Sequence, residues 1–293
     1  MSTSVLFDVP GPKARARNLT IGALAVLALV VLVAYVVYRF YLTGQFEARK
    51  WSVLQYAEIQ RFLLSGLLHT LLAAAISSVL ALLFGAVFAA GRLSDHAFWR
   101  IPAGAVVELF RAVPLLILIF FFYFGFDFQP LWALVSGLTL YNGSVLAEVF
   151  RAGVLSVPKG QWESGYALGL RKTQVMVLIL LPQAVRAMLP SIVSQMVVLL
   201  KDTALGFIIT YEDLLYTIKL IGTQTQFGQP FIQVAIVGAA VYVGLCAALS
   251  WFAGYLTRHR SKKAVAVPSL IGVGDAESGV AVPPVTLQDP GKE

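Results

Sequence analysis

Charge is scarce in this chain. Of 293 residues only 13% are Asp, Glu, Lys or Arg, against 58% hydrophobic. A soluble domain carries about a quarter charged residues, so a water-facing globule is excluded and most of the surface must face lipid. Cysteine is nearly absent. The single Cys246 lies inside an apolar run, which excludes a disulfide framework and a thiolate metal cluster. The three histidines, His69, His96 and His259, are too scattered to suggest a metal site. No G-x-x-x-x-G-K-[ST] phosphate loop occurs, so this chain cannot hydrolyse ATP alone. No G-x-S-x-G string or His-based metal pattern supports an intramembrane enzyme. A net charge of +7 would suggest nucleic acid in a soluble protein. Here Lys and Arg flank apolar segments and set their orientation, so no nucleic-acid partner is expected.

What the chain does have is long apolar runs. A bilayer core of about 30 Å needs roughly 20 apolar helical residues. Six segments meet that length: Leu19–Leu42, Phe62–Ala90, Ile101–Phe126, Leu131–Val154, Leu189–Thr210 and Phe231–Leu256. Asp127 to Pro130 make a tight hairpin between the third and fourth. The expected fold is an all-α membrane protein of about six transmembrane helices. The N-terminal apolar run is longer than a signal h-region, has no clean cleavage site, and reads as an uncleaved span.

Sidedness follows from the cations. With the N-terminus inside, cytoplasmic segments hold Lys13, Arg15, Arg17, Arg92, Arg100, Lys159, Arg171, Lys172, Arg186, Arg258, Arg260, Lys262 and Lys263. The outer loops hold only Arg49, Lys50, Arg61 and Lys219. Both termini are therefore expected in the cytoplasm. The chain divides into a cytoplasmic tail (1–18), a first helix with an outer loop (19–61), a core (62–257) and a tail (258–293) that lacks periodicity and reads as disordered. The outer loop holds an amphipathic turn with Trp51, Leu54, Tyr56 and Ile59.

One polar, glycine-punctuated stretch interrupts the core on the cytoplasmic side, within 157–188. It reads E-S-G-Y-A-L-G-L-R-K-T-Q-V-M-V-L-I-L-L-P from Glu163 to Pro182. Pro158-Lys159-Gly160 is a turn signal. Gln161–Leu168 is predicted to form a short helix with Glu163 in its first turn, favoured there by the dipole, and Gly169 as its stop. Thr173 is the expected N-cap of a second short helix that Pro182 kinks or ends. Small Ser164, Gly165 and Ala167 would let another protein approach closely.

Charges inside spans are rare and usually face a bundle interior or a cavity. Glu108 and Arg111 are three apart and share a helix face, so they can pair. Arg111 falls near mid-membrane, and either that pairing or a role in a substrate pathway accounts for it. Glu148 and Arg151 repeat the spacing near the end of the fourth span, where Arg151 reads as a snorkelling cation. Lys201-Asp202-Thr203 lies deep in the fifth span. Neighbouring residues on a helix point about 100° apart, so at least one of Lys201 and Asp202 needs a partner elsewhere, on another helix or in a zwitterionic substrate, or a cavity.

The stretch from Glu163 resembles the signature loop of the membrane subunits of binding-protein-dependent ABC importers: E-A-A, three residues, Gly, nine residues, Ile, one residue, Leu-Pro. Glu163, Gly169, Ile179, Leu181 and Pro182 fall in register, while Ser164 and Gly165 replace the two alanines. E-L-F-R-A-V-P-L-L-I-L-I-F-F-F-Y-F-G, Y-N-G-S-V-L-A-E-V-F-R-A-G-V and L-L-K-D-T-A-L are similar to span motifs of the polar amino-acid permeases of this class. The string Val5 to Lys13 resembles actinobacterial glutamate-uptake permeases. The resemblance covers roughly Phe62 to Leu256. It implies a type I importer transmembrane fold in a bacterial plasma membrane, with glutamate as the substrate. It implies coupling to a pair of ABC ATPase subunits, which bind ATP and Mg, so that this chain needs no cofactor of its own. A second permease subunit (or a second copy of this chain) and an extracytoplasmic amino-acid-binding protein complete the assembly. Glu163, Ser164, Gly165, Ala167, Gly169, Leu181 and Pro182 are the expected ATPase-coupling residues. Arg111, Glu108, Lys201, Asp202 and Thr203 are the expected substrate-path residues. An ion-coupled secondary transporter, with Lys201-Asp202 carrying a proton, is the alternative.

Overall fold

The structure, a computed structural model, describes residues 11–261. The expectations for residues 5–10, and for the tail including Lys262 and Lys263, lie outside the described residues. Within them the chain is helical and has no strand. Five helices are long and apolar enough to cross a membrane, or six if one sharply bent pair counts as a single span. That agrees with the six apolar runs.

Helix α1 (Pro12–Leu42) buries none of its residues against the rest of the chain. A short helix α2 (Ala48–Ser52) follows. Its loop is tied down far along the chain: Arg49 Nη2 donates to the Gln226 carbonyl at 2.8 Å, and Gln233 Nε2 to the Gln45 carbonyl at 2.5 Å. Helix α3 (Ala57–Arg92) then crosses α6 (Pro130–Leu155) in the most extensive packing of the molecule. The buried face of α3 is a stripe of small residues, Gly66, Thr70, Ala73, Ser77, Ala81, Gly85 and Ala89. A Cβ on Gly85 would lie 2.9 Å from Leu146 Cβ and 3.1 Å from the Gly143 carbonyl. Only the missing side chain lets the two backbones come this close, a common solution in membranes, where dispersion rather than hydrophobic drive packs the helices.

The third apolar run departs from the expected single span. It is two helices, α4 (Ala97–Ala112) and α5 (Leu115–Phe120), the second prolonged by a π turn over Phe121–Gly125. The pair bends by 100°. The cause is local: a residue before proline is pushed out of the helical region. Val113 is extended at φ −80°, ψ 127°, and Pro114 starts the next helix.

The fifth run departs too. It begins well before Leu189. After α7 (Lys159–Ala167) the chain enters α8 (Lys172–Gln174), a π segment (Val175–Leu180) and α9 (Leu181–Asp202). A 3-10 segment (Thr203–Ile209) closes it. Pro182 does not end or separate a helix. It stands just after the π segment, inside a helix that runs on from Lys172 to Asp202. Helix α10 (Leu214–Gly222) is capped by Asp213, whose Oδ1 accepts from the Tyr216 N–H at 2.7 Å. The Leu214 N–H donates to Thr70 Oγ1 at 3.0 Å, and Tyr211 donates to the His69 carbonyl at 2.8 Å, fixing α10 on α3. Asp213 lies between spans and is almost fully buried, which pushes its carboxyl up to about 7. Helix α11 (Phe231–Ser261) packs on α10 and α9.

Candidate functional site

The polar interruption forms an elbow. Gly169, at φ +77°, ends α7: its N–H donates to the Tyr166 carbonyl at 2.9 Å, and the Leu170 N–H to Gly165 at 3.2 Å. This reciprocal pair closes a helix on a left-handed glycine. The second arm starts two residues earlier than the sequence suggests. Arg171, not Thr173, is the cap residue, and its N–H donates to Gln174 Oε1 at 2.9 Å. Helix α7 also starts earlier, at Lys159, so Glu163 sits in the second turn, outside the reach of the terminal dipole.

The two arms lock through one glycine. Gly165 is buried, and a Cβ there would fall 2.8 Å from Val175 Cγ2 and 3.1 Å from Ile179 Cδ1. Gly165 therefore serves contact within the elbow rather than an open docking face, a correction to its expected role. Trp162, Val175, Leu180 and Met188 pack behind it. On the other side Glu163, Ser164, Ala167 and Gly169 are exposed, together with Tyr166 and Leu168. Leu168 is 79% exposed. Leu181 and Pro182 are exposed on the second arm, and Leu181 faces a cavity between α3, α6 and α9. Lys172 is ion-paired with Asp95, in the turn between α3 and α4. The hydrogen bond from Lys172 holds the Asp95 carboxyl below the usual carboxylate range.

The intramembrane charges are arranged differently from their sequence spacing. Glu108 does not pair with Arg111. Its carboxylate lies 3.7 Å from Arg92, which also meets Glu148 at 2.9 Å, and Glu148 meets Arg151 at 2.5 Å. Four charges from α3, α4 and α6 thus form a neutral chain. Arg151 is a member of it, not merely a snorkelling cation. Arg111 and Lys201 are exposed and have no ion pair among the described residues. Asp202 is half-buried, with its carboxylate towards Asn142 of α6. Asn142 is fully buried; its Oδ1 accepts from Gln195 Nε2 at 2.6 Å, while its Nδ2 has no well-formed hydrogen bond. Thr203 is buried and donates to the Leu200 carbonyl at 2.7 Å. Sequence reasoning missed Arg92, Asn142 and Gln195. The one available signal was amide side chains in apolar runs, which need partners in lipid.

Residues 81–262 match the family described as the binding-protein-dependent transport system inner membrane component. The chain belongs to this family. Relatives in the family are named as amino-acid permeases. The glutamate transport system permease protein GluD of Corynebacterium glutamicum is 45% identical over 177 residues, 57% of this chain and 65% of that one. The chain thus spans just under two thirds of that relative's length. The probable glutamine ABC transporter permease protein GlnP of Bacillus subtilis is 34% identical, over 64% of this chain and 89% of its own. The fold is similar to one chain of an amino acid ABC transporter solved with histidines, at TM-score 0.64 and 25% identity, covering 70% of this chain and 97% of that one. The family description makes the chain an inner membrane component of a binding-protein-dependent transport system.

Proposed function

We propose that the chain is the permease subunit of an ATP-driven importer of polar amino acids, with glutamate its substrate. One observation carries the reading. From Lys172 to Asp202 the helix is unbroken, running from the elbow to the polar cluster of Asn142, Gln195 and Asp202. At about 1.5 Å per residue that is a lever of about 45 Å. The open face of α7, with Glu163, Ser164, Ala167 and Gly169, docks in a groove of a cytoplasmic ATPase that holds ATP and Mg. This chain lacks a phosphate loop and leaves the hydrolysis to that partner. Closure of two ATPases pushes the elbow, and the lever tilts the fifth span against a second permease subunit. A midplane site then opens alternately to an extracytoplasmic binding protein and to the cytoplasm.

An acidic amino acid suits the free charges. Arg111 and Lys201, which have no ion pair among the described residues, are costly in a membrane unless an anion meets them, and glutamate brings a second carboxylate. The family match lends no support to an ion-coupled secondary transporter. In proteoliposomes holding the complete importer, Glu163→Lys should abolish uptake while membrane insertion stays normal. Unchanged glutamate uptake by that variant overturns the coupling role.

A further inference from the structure

The cavity between the ends of α3, α6 and α9 is not accounted for by coupling or by the polar cluster. It measures about 620 Å³. Its walls are apolar: Ala86 and Ala90 from α3, Phe150 from α6, Met176 from the π segment, Val185 and Met188 from α9. Its mouth is polar and carries Asp95, His96 and Lys172. The carboxylate of Asp95 is flanked by Lys172, His96 and Arg100. Within the lining Lys172 and Asp95 balance each other beside His96, and Arg100, outside the lining but close enough to act on Asp95, tips the charge around the mouth to positive. Apolar depth beneath a cationic rim matches one chemistry, an amphiphile with an acyl chain and an anionic head.

We infer that this cavity binds an anionic phospholipid of the inner leaflet, its acyl chain against Ala86, Ala90 and Met188 and its phosphate beside Lys172 and His96. The inference rests on the sidedness in the proposed function, which puts this end at the cytoplasmic surface. Basic residues at that surface attract anionic lipid. The site also adjoins the root of the elbow, since Lys172 and Met176 belong to both. A seated lipid would wedge between α3 and the lever and so set how freely the lever tilts.

The test uses the whole importer in phosphatidylcholine vesicles doped with diazirine-acyl phosphatidylglycerol or diazirine-acyl phosphatidylcholine, with cross-linked peptides read by mass spectrometry. Phosphatidylglycerol should label the peptides around Ala86–His96 and Met176–Met188 about five-fold more than phosphatidylcholine, the ratio expected for one cationic contact. Lys172→Gln and, separately, Arg100→Gln, which leaves the Asp95–Lys172 pair intact, should each cut that preference. Ala86→Phe with Ala90→Phe should fill the cavity and remove the labelling. Equal labelling by both lipids, or labelling that survives the filled cavity, overturns the inference. So does a peptide of a second permease subunit cross-linked in the lipid's place. Glu163→Lys should lose uptake yet keep the labelling, so the two proposals fail separately.

Discussion

Two of the close contacts in this molecule, each dependent on a glycine, differ in kind. At the α3–α6 crossing Gly85 meets Leu146 Cβ and the backbone of Gly143 and Ala147, at 2.9 to 3.2 Å from where a Cβ would stand. At the elbow Gly165 meets only the ends of Val175 and Ile179. The first contact is backbone on backbone, deep between spans, with nothing able to yield. The second is backbone on flexible side chains, with its other face open. The difference teaches where rigidity is needed: the crossing fixes the frame, and the elbow must stay attached while it transmits movement.

The largest effect should come from the crossing. Gly85→Ala places a Cβ against three unyielding atoms, so overpacking should lower stability by about 1–3 kcal/mol, and Gly85→Leu should prevent folding. Thermal unfolding of the purified protein in detergent measures the first, and membrane yield the second. Gly104→Ala is the control, because nothing lies within 4 Å of that Cβ; a helix-interior alanine there should be neutral or stabilising by up to about 1 kcal/mol. Equal losses at both positions would end the claim that the crossing is special.

The elbow should respond in a different quantity. Gly165→Val forces α7 off Val175, yet it leaves the span contacts alone. Its unfolding temperature should stay close to that of the unsubstituted chain while uptake by the assembled importer falls sharply. Gly160→Ala, in the same helix but with nothing within 4 Å of its Cβ, should keep both. If Gly165→Val keeps full uptake, the buried contact is not what orients the docking face.

This pairing also shows what the sequence could reveal. Span lengths were legible because lipid demands long apolar runs whatever their neighbours. The stop at Gly169 was legible because one residue type solves that backbone. The break at Val113-Pro114 was written locally but was masked by apolar continuity on both sides. Gly165 was visible as small, but composition does not say which face of α7 turns inward. Arg92 read as a flanking cation because its partners, Glu108 and Glu148, come from two other helices. Asn142 and Gln195 meet for the same reason only in the folded chain.

The smallest expected effect separates backbone from contact. Gly169 has no atom within 4 Å of a Cβ, but its φ of +77° is a region that L side chains rarely adopt. Gly169→Ala should therefore cost only the left-handed backbone term, about 1 kcal/mol. Gly169→Asn should cost less, since asparagine adopts that conformation more readily. The loss is local, so it should show as an increase of about five-fold in hydrogen exchange of the α7 amides, with the amides of α3 and α6 unchanged. If alanine and asparagine loosen α7 equally, the backbone conformation is not what closes the helix. Exchange that rises in α3 as well would mean that elbow and frame open together, and the contrast between the two glycine contacts would fail at its weaker end.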